Sequence, residues 1–314
     1  MQLVSESYKT IEEYEQEVKR ANYRNLEVLQ TAKGCFDTKM RAAIVGSTSL
    51  IDRNVSIASI QTLQLSDSLC RIVIPYNCQA PLINGDEITD NKVLLIAPEE
   101  EIFAVLPDNF HTISFGVKTD QFAKYFQEGE LEKLYTNSSK LRSHNILGNI
   151  HRAKEYLVQY THALFSQISS IPREAITDIE DSILLVLEYM LRPKVYYWKE
   201  PNLATRLAIV RRSREYLASS KRNSVSVLEL SKQACCSVRS LEYAFKDILG
   251  ITPKRYLNIR KTHQIRSHLV HTGGRSINSV LKKFGVINQG RFSSDYNRLF
   301  GEYPKDTLAR IRRT

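Results

Sequence analysis

The sequence has no uncharged apolar run approaching about eighteen residues, so a membrane-spanning helix is not expected. Its opening, Met1 to Lys9, leads into the acidic stretch TIEEYEQEVKR rather than an apolar signal core, and the expected location is the cytoplasm. Cysteine is scarce. The five residues Cys35, Cys70, Cys78, Cys235 and Cys236 are an odd number without CxxC spacing, so neither a disulfide framework nor a zinc site is indicated. Catalytic signatures are missing as well. The seven histidines form no HxH or HExxH pair. A metal-bearing cupin strand would need such a pair, and this region offers only FHTISF around His111, with His144, His151 and His162 further on. Gly46 in IVGSTSL lacks the second glycine and the lysine of a phosphate-cradling loop, and no serine stands in a GxSxG context. An enzyme, a cofactor and a metal are therefore not expected.

What the sequence does have is a globular composition with a lopsided charge. Of 314 residues, 42% are hydrophobic and 25% charged, enough for about two domains. Residues 201–314 carry 23 basic and 7 acidic side chains, whereas residues 1–200 carry 21 basic and 27 acidic. A net +16 region joined to a net −6 region predicts a polyanion partner for the former. Residues 8–25 read as a helix or surface arm with Glu12, Glu13, Glu15 and Glu17 on its polar side. From about 40 to 118, short runs rich in Val, Ile, Leu and Phe alternate with turn residues, among them SLCRIVIPY, KVLLIAP, EIFAVLP and HTISFGV. This texture predicts an antiparallel sheet curled into a sandwich or barrel, with Asn84-Gly85-Asp86 as a tight turn. After Asp120 the pattern is helical. Ile179, Ile183, Leu184, Leu187 and Met190 form an apolar stripe that fits packing on its own sheet or, in part, a subunit interface. The segment RPKVYYWKEPNLA, residues 192–204, marks the expected boundary between a domain at 1–200 and one at 205–314.

The basic region contains a repeat. Leu241, Phe245, Ile248, Gly250 and Pro253 recur 51 positions later as Phe292, Tyr296, Leu299, Gly301 and Pro304. Each unit reads as a short helix, a tight turn, a second helix and a glycine stop: Ser226 to Ala234, then Ser237 capping Val238 to Leu249; and Asn288 capping a helix through Phe300. Two helix-turn-helix units predict insertion of each second helix into a DNA major groove, about 12 Å wide. Arginine can grip guanine with two hydrogen bonds, and glutamine or asparagine can do the same for adenine. Arg239 and Arg291 are the leading base readers, followed by Gln289 and Asn288, while Ser237, Ser240, Ser293 and Ser294 suit bases or phosphates. Glu242 and Lys246 share the outward face of the first recognition helix. Each of these residues taken singly also fits a solvated surface position. In the connector PKRYLNIRKTHQIRSHLV, residues 253–270, Tyr256, Ile265 and Leu269 face the cores, and Lys254, Arg255, Lys261 and Arg266 are expected at phosphates.

These residues resemble the C-terminal domain of the AraC/XylS family of bacterial transcription regulators over about 100 residues, from RRSREYL at 211–217 to PKDTL at 304–308. GRFSSDYNRLFGEYP, residues 290–304, is the strongest match. The resemblance implies an α+β chain with an N-terminal cupin-like β-barrel followed by helices and an all-α domain holding two helix-turn-helix motifs. It also implies double-stranded DNA as partner, RNA polymerase contact in activation, and an N-terminal domain that senses a small effector or forms a homodimer. Repression, an architectural DNA-binding role, RNA binding and a cupin-type enzyme on a DNA anchor are the competing readings. The chain departs from the family at Ser231 and Leu281, where alanine is usual, at Cys235, where glycine is common, at Val286, where phenylalanine commonly follows Gly285, and at Lys261 and Thr262, in place of an Arg-Leu pair. Leu281 requires its unit to repack, since an enlarged core side chain otherwise costs about 1–3 kcal/mol.

Overall fold

A computed structural model of the chain describes residues 3–20, 23–66, 68–89, 92–138, 144–145, 150–191, 203–220, 224–272 and 276–311. The expected boundary segment lies almost wholly outside them. The N-terminal region runs β1 (Leu3–Tyr8), α1 (Ile11–Arg20), β2 (Tyr23–Gln30), β3 (Thr38–Val45), β4 (Thr48–Val55), β5 (Ser59–Leu65), β6 (Leu69–Pro75), β7 (Leu82–Ile83), β8 (Asp86–Glu87), β9 (Lys92–Ile96), β10 (Glu101–Leu106) and β11 (Phe110–Lys118). There follow α2 (Thr119–Ala123), α3 (Glu130–Ser138), β12 (His144–Asn145), α4 (Ile150–Gln167) and α5 (Ala175–Leu191). The C-terminal region is all helix: α6 (Leu203–Ser219), α7 (Val227–Gln233), α8 (Val238–Leu249), α9 (Pro253–Thr272), α10 (Ile277–Lys283), α11 (Gln289–Phe300) and α12 (Pro304–Ile311).

The strands form two separate sheets, ordered β1-β3-β4-β11-β6-β9-β12 and β2-β5-β10-β7-β8. This corrects the expected cupin-like barrel: the sheets are open, and among the described residues no edge strand of one pairs with an edge strand of the other. Two features account for the open edges. β7 and β8 have two residues each, joined by Asn84 and Gly85 at φ 54° and 87°, and are too short to carry a ladder around a corner. On the β2 side a helix fills the gap instead of a strand, because α1 buries Ile11, Tyr14 and Val18 in the core between the sheets. The spacing i, i+3, i+7 makes that stripe, leaving the glutamates outward.

The molecule is layered as helices, sheet, sheet, helices. On the outer face of the seven-stranded sheet, Leu50, Ile72, Ile113 and Phe115 pack against α4 and α5, whose Ile183, Leu184, Leu187 and Met190 are all buried. The α5 stripe thus packs on its own sheet. Between the sheets lie Val55, Leu63, Leu94, Ile102, Ala104, Leu106 and Phe110. On the far face of the five-stranded sheet, Leu29, Ile60 and Phe103 share one core with Leu207, Val210, Leu241, Phe245 and Tyr256 of the basic region.

An ionic collar surrounds that shared core. Glu27 on β2 accepts from Arg260 Nε at 3.0 Å and Tyr256 Oη at 3.2 Å, and lies 3.5 Å from Arg214 Nε. Glu101 on β10 pairs with Arg214 and lies 3.5 Å from Arg211 Nε. An open cavity of about 500 Å³ sits beside the collar, walled by Glu12, Glu15 and Glu27 on one side and Arg214, Arg260 and His263 on the other.

Candidate nucleic-acid interface

Each recognition helix is fixed locally by its caps. Ser237 Oγ accepts from the Ser240 amide at 3.0 Å at the start of α8, and Gly250, at φ 67°, ends it with its amide bonded to Lys246 O at 3.0 Å. In α11, Asn288 Oδ1 accepts from the Arg291 amide at 2.9 Å, and Gly301, at φ 72°, bonds back to Asn297 O at 2.9 Å. The first helices pack behind them, α7 capped by Ser226 with the Glu229 amide at 3.1 Å. The helix boundaries read from the repeat agree with these within a residue.

The two turns are not identical. Cys235 and Gly285 occupy the same left-handed position, at φ 52° and 63°, each with its amide bonded three residues back, to Lys232 O and Lys282 O. Their spacing is therefore 50, one less than that of the recognition helices, and the turn of unit two holds one residue more before its cap. Ile287 lies in this longer turn and is 99% exposed.

Behind α8, Leu241, Ala244, Phe245 and Ile248 are buried, with the Phe245 ring edge-on to Tyr256. Behind α11, Phe292, Tyr296 and Phe300 are buried with Ile265, Leu269, Val280, Leu281, Phe284 and Leu308. Leu281, 1% exposed, is an ordinary member of this core, and Ser231, 2% exposed, ties its hydroxyl to Leu228 O at 2.9 Å. Leu299 is partly buried and touches both cores. A polar network braces unit two: Tyr296 Oη and Thr307 Oγ1 are 2.8 Å apart, Thr307 donates to Glu302 at 2.8 Å, and Arg266 reaches Glu302 at 2.6 Å. These contacts hold the Glu302 carboxyl below its usual range against the opposing effect of burial.

Arg239, Ser240, Glu242 and Lys246 project into solvent from α8, and Lys254 and Arg255 do so from the start of α9. In α11, Arg291 and Ser294 are exposed, and Gln289 and Ser293 are half-buried. Ser237 and Asn288 are exposed, but each has an oxygen engaged as a cap. Ser294 donates to Gly290 O at 3.2 Å. Arg239 lies over the Tyr243 ring at 5.6 Å, which stiffens its long side chain. Two connector cations are not where the charge pattern put them. Arg266 is buried at 7% exposure, stacked 4.5 Å over Phe300 and paired with Glu302 and Glu12. Lys261 is half-buried against Gly285 O at 3.4 Å, and desolvation pushes its ammonium below the usual range. Neither is available to a phosphate in this arrangement.

Two further residues belong to the exposed face of α11. Arg298 lies two turns beyond Arg291, and Asp295 stands between them, 4.0 Å from Arg291 Nε and 3.4 Å from Arg298 Nη1. Their i, i+4, i+7 spacing was legible, and the carboxylate adds an acceptor suited to the cytosine amino group. Tyr243, 52% exposed, is the corresponding addition on α8.

Residues 230–310 match a family model described as a helix-turn-helix domain. The chain is 35% identical over 98 residues to the XylDLEGF operon transcriptional activator 3 of Pseudomonas putida, 31% of this chain and 30% of that protein. It is 29% identical over 131 residues to the probable thc operon regulatory protein of Rhodococcus erythropolis, 41% of this chain and 38% of that protein. The alignments span about a third of these relatives' length. Among solved structures, that of the AraC-like transcriptional activator CuxR aligns with 89% of this chain and 100% of its own at 12% identity, with a TM-score of 0.43. No helix among the described residues is long and apolar enough to cross a membrane. Through its paired helix-turn-helix units, the chain belongs to the AraC/XylS family of transcription regulators, a family of DNA-binding proteins rather than enzymes.

Proposed function

We propose that this protein is a sequence-specific DNA-binding transcription regulator, an activator whose residues 205–314 read the operator and whose residues 1–200 control them. The observation that carries this reading is the pair of capped recognition helices presenting Arg239 and Arg291 to solvent. Both lie in the region carrying 23 basic and 7 acidic residues. Arg239, Ser240, Glu242, Lys246, Gln289, Arg291, Ser293 and Ser294 face the bases or their flanking phosphates, Ser237 and Asn288 set the helix starts and offer their remaining valences, and Lys254 holds the backbone. The α9 connector between the units suits successive major grooves, about 34 Å apart on one face of the duplex. The printed activator names of the Pseudomonas putida relatives favour activation, and with it contact to RNA polymerase. Control by homodimerisation is supported by Leu185 and Tyr189, 55% and 48% exposed on α5 away from the sheet. Control by a small effector is supported by the ionic collar that ties the basic region to β2 and β10.

Fluorescence anisotropy on cognate and scrambled duplexes tests the reading, the cognate site being found first by genome-wide occupancy of the intact protein. Arg291→Ala is expected to lose about 1–3 kcal/mol on the cognate site and much less on the scrambled one, while Lys254→Ala weakens both alike. Equal loss on both duplexes for Arg291→Ala, or tighter binding to RNA than to duplex DNA, refutes it.

A further inference from the structure

The outer face of the seven-stranded sheet is apolar only where α4 and α5 cover it. Towards the other end of the same strands it becomes polar, and the register determines the pattern. Arg41 on β3 stands opposite Asp52 on β4, and Asn54 on β4 stands opposite His111 on β11. Tyr76 follows β6 and bonds the β11 backbone at His111 O, 3.1 Å away. His162 reaches the same place from α4. These six side chains line one open recess of about 730 Å³.

The recess has a rigid centre. Asp52, 8% exposed, accepts from Arg41 Nε at 3.1 Å and from Tyr76 Oη at 2.7 Å, and His162 Nε2 lies 3.6 Å away. Tyr76 Oη is also 3.3 Å from His162 Nε2, and its ring sits edge-on to both imidazoles, with centroids 5.6 Å apart in each case. Arg41 is held from behind by the Phe165 ring at 5.2 Å. Burial and the Asp52 carboxylate push the Tyr76 phenol well above its ordinary value, so it remains a donor. Asn54 Nδ2 contacts the His111 ring, leaving its amide oxygen turned to the recess. The buried carboxylate thus orients an arginine, a tyrosine and a histidine whose remaining donors face open space, a preorganised arrangement.

Charge decides the class of ligand. Glu6, Asp37 and Asp52 oppose Lys39 and Arg41 around the recess. The two aspartates already have cations, Asp52 with Arg41 and Asp37 with Lys9 at 2.8 Å. An anion would meet three carboxylates, and a cation would meet Arg41, Lys39 and two imidazoles. Only a neutral molecule enters without breaking a pair. The wall is nearly all polar, Met40 being its one aliphatic member, so an apolar guest would leave most of these groups desolvated without partners. Closely spaced donors and acceptors from planar side chains match vicinal hydroxyl groups. We propose that this recess binds a neutral polyhydroxylated small molecule, a monosaccharide or polyol, on the face of the sheet opposite the sandwich interior, with Arg41, Asn54, His111 and His162 making the direct hydrogen bonds and Asp52 and Tyr76 positioning them.

The test uses the full chain with 13C-labelled histidine rings, titrated by NMR with D-glucose, D-xylose, myo-inositol and sorbitol, and with D-glucuronate and D-glucosamine as charged counterparts. The expected result is a saturable shift of the His111 and His162 signals by at least one neutral compound, with the other histidines unmoved and the charged compounds weaker. Asn54→Ala is expected to weaken that binding about tenfold, which corresponds to about 1.4 kcal/mol. His162→Gln, a change on a partly exposed ring, gives the second variant should the first fail to fold. Absence of a shift with all four neutral compounds, unchanged affinity in the folded variants, or equal binding of the charged compounds overturns the proposal. No DNA enters the measurement, so its failure leaves the reading of the recognition helices untouched.

Discussion

Glu27 is the pivot between the acidic and basic regions, and its removal tests whether the two are welded. It accepts from Arg260 at 3.0 Å and Tyr256 at 3.2 Å and lies 3.5 Å from Arg214, with side-chain exposures of 24% for Glu27, 16% for Arg260 and 14% for Arg214. At 3.0 Å and an effective dielectric constant of about 20, the Arg260 pair alone has a Coulomb attraction of about 5 kcal/mol. Desolvation of both ions offsets much of this, and Arg214 retains Glu101 when Glu27 is lost. Glu27→Gln keeps the shape and leaves Arg260 without its carboxylate. The expected loss is about 2 kcal/mol of global stability, below the usual ~3–5 kcal/mol for breaking a fully buried pair because water still reaches the rim. The assay is urea unfolding of the full chain by circular dichroism, run as a double-mutant cycle with Arg260→Gln. A coupling of at least ~1 kcal/mol is expected, decreasing as salt is raised. A coupling below ~0.3 kcal/mol would mean that the collar is a solvated surface feature and that Leu29, Ile60 and Phe103 alone hold the two regions together.

Three other outcomes follow from local geometry. Cys235→Gly is expected to raise stability by about 0.5–1 kcal/mol, since a side chain at φ 52° is strained and glycine there is not, while Gly285→Ala at the matching turn is expected to cost about 1–2 kcal/mol although nothing crowds its position; thermal unfolding of both variants checks the opposite signs. Ser237→Ala and Asn288→Ala each remove a cap, and a loss of about 1 kcal/mol apiece is expected in chemical denaturation. Desolvation lowers the His263 imidazole to about 3 from an ordinary 6.5, so the unfolded chain takes up this proton first and stability declines as pH falls from 6.5 towards 3. The slope from this residue is at most about 1.4 kcal/mol per pH unit, because part of the ring borders the interdomain cavity, and His263→Gln should flatten the measured pH dependence.

The basic half was legible because its information is local. Caps, glycine stops and the i, i+4, i+7 apolar stripe each fall within one helix, so Ser237, Asn288, Gly250 and Gly301 could be placed from the sequence alone. Arg266 shows where local reasoning stops: its neighbours in sequence are polar and basic, but Glu12 and Glu302, the carboxylates that bury it, lie 254 and 36 residues away. The β-rich half was harder to read for a different reason. Along β10, Ile102, Ala104 and Leu106 enter the core between the sheets while Phe103 and Val105 face the basic region, so both faces are apolar and the alternation that would reveal register is erased. Barrel closure was expected from strand texture alone. Texture does not report that α1 fills the β2 side, because its three buried residues look like any amphipathic stripe.

The same burial gives the two helix-turn-helix units different mechanical standing. The core of unit one continues into the five-stranded sheet through Phe103, Ile60 and Leu29, so α8 moves with β5 and β10. Unit two has a core of its own, and its ties to the N-terminal region are fewer: Gln30 Nε2 donating to Leu299 O at 2.5 Å and Arg266 beside Glu12 at 3.3 Å. Both ties pass close to the collar cavity or its neighbour under Phe300. A change in β2 therefore has two routes to the recognition surface: directly through the shared core to α8, and through Gln30 to Leu299, whose side chain touches both cores. Because Leu299 is the last residue but one of α11, a shift there changes the angle between the recognition helices without unfolding either, and that angle sets which spacing of half-sites the protein can read.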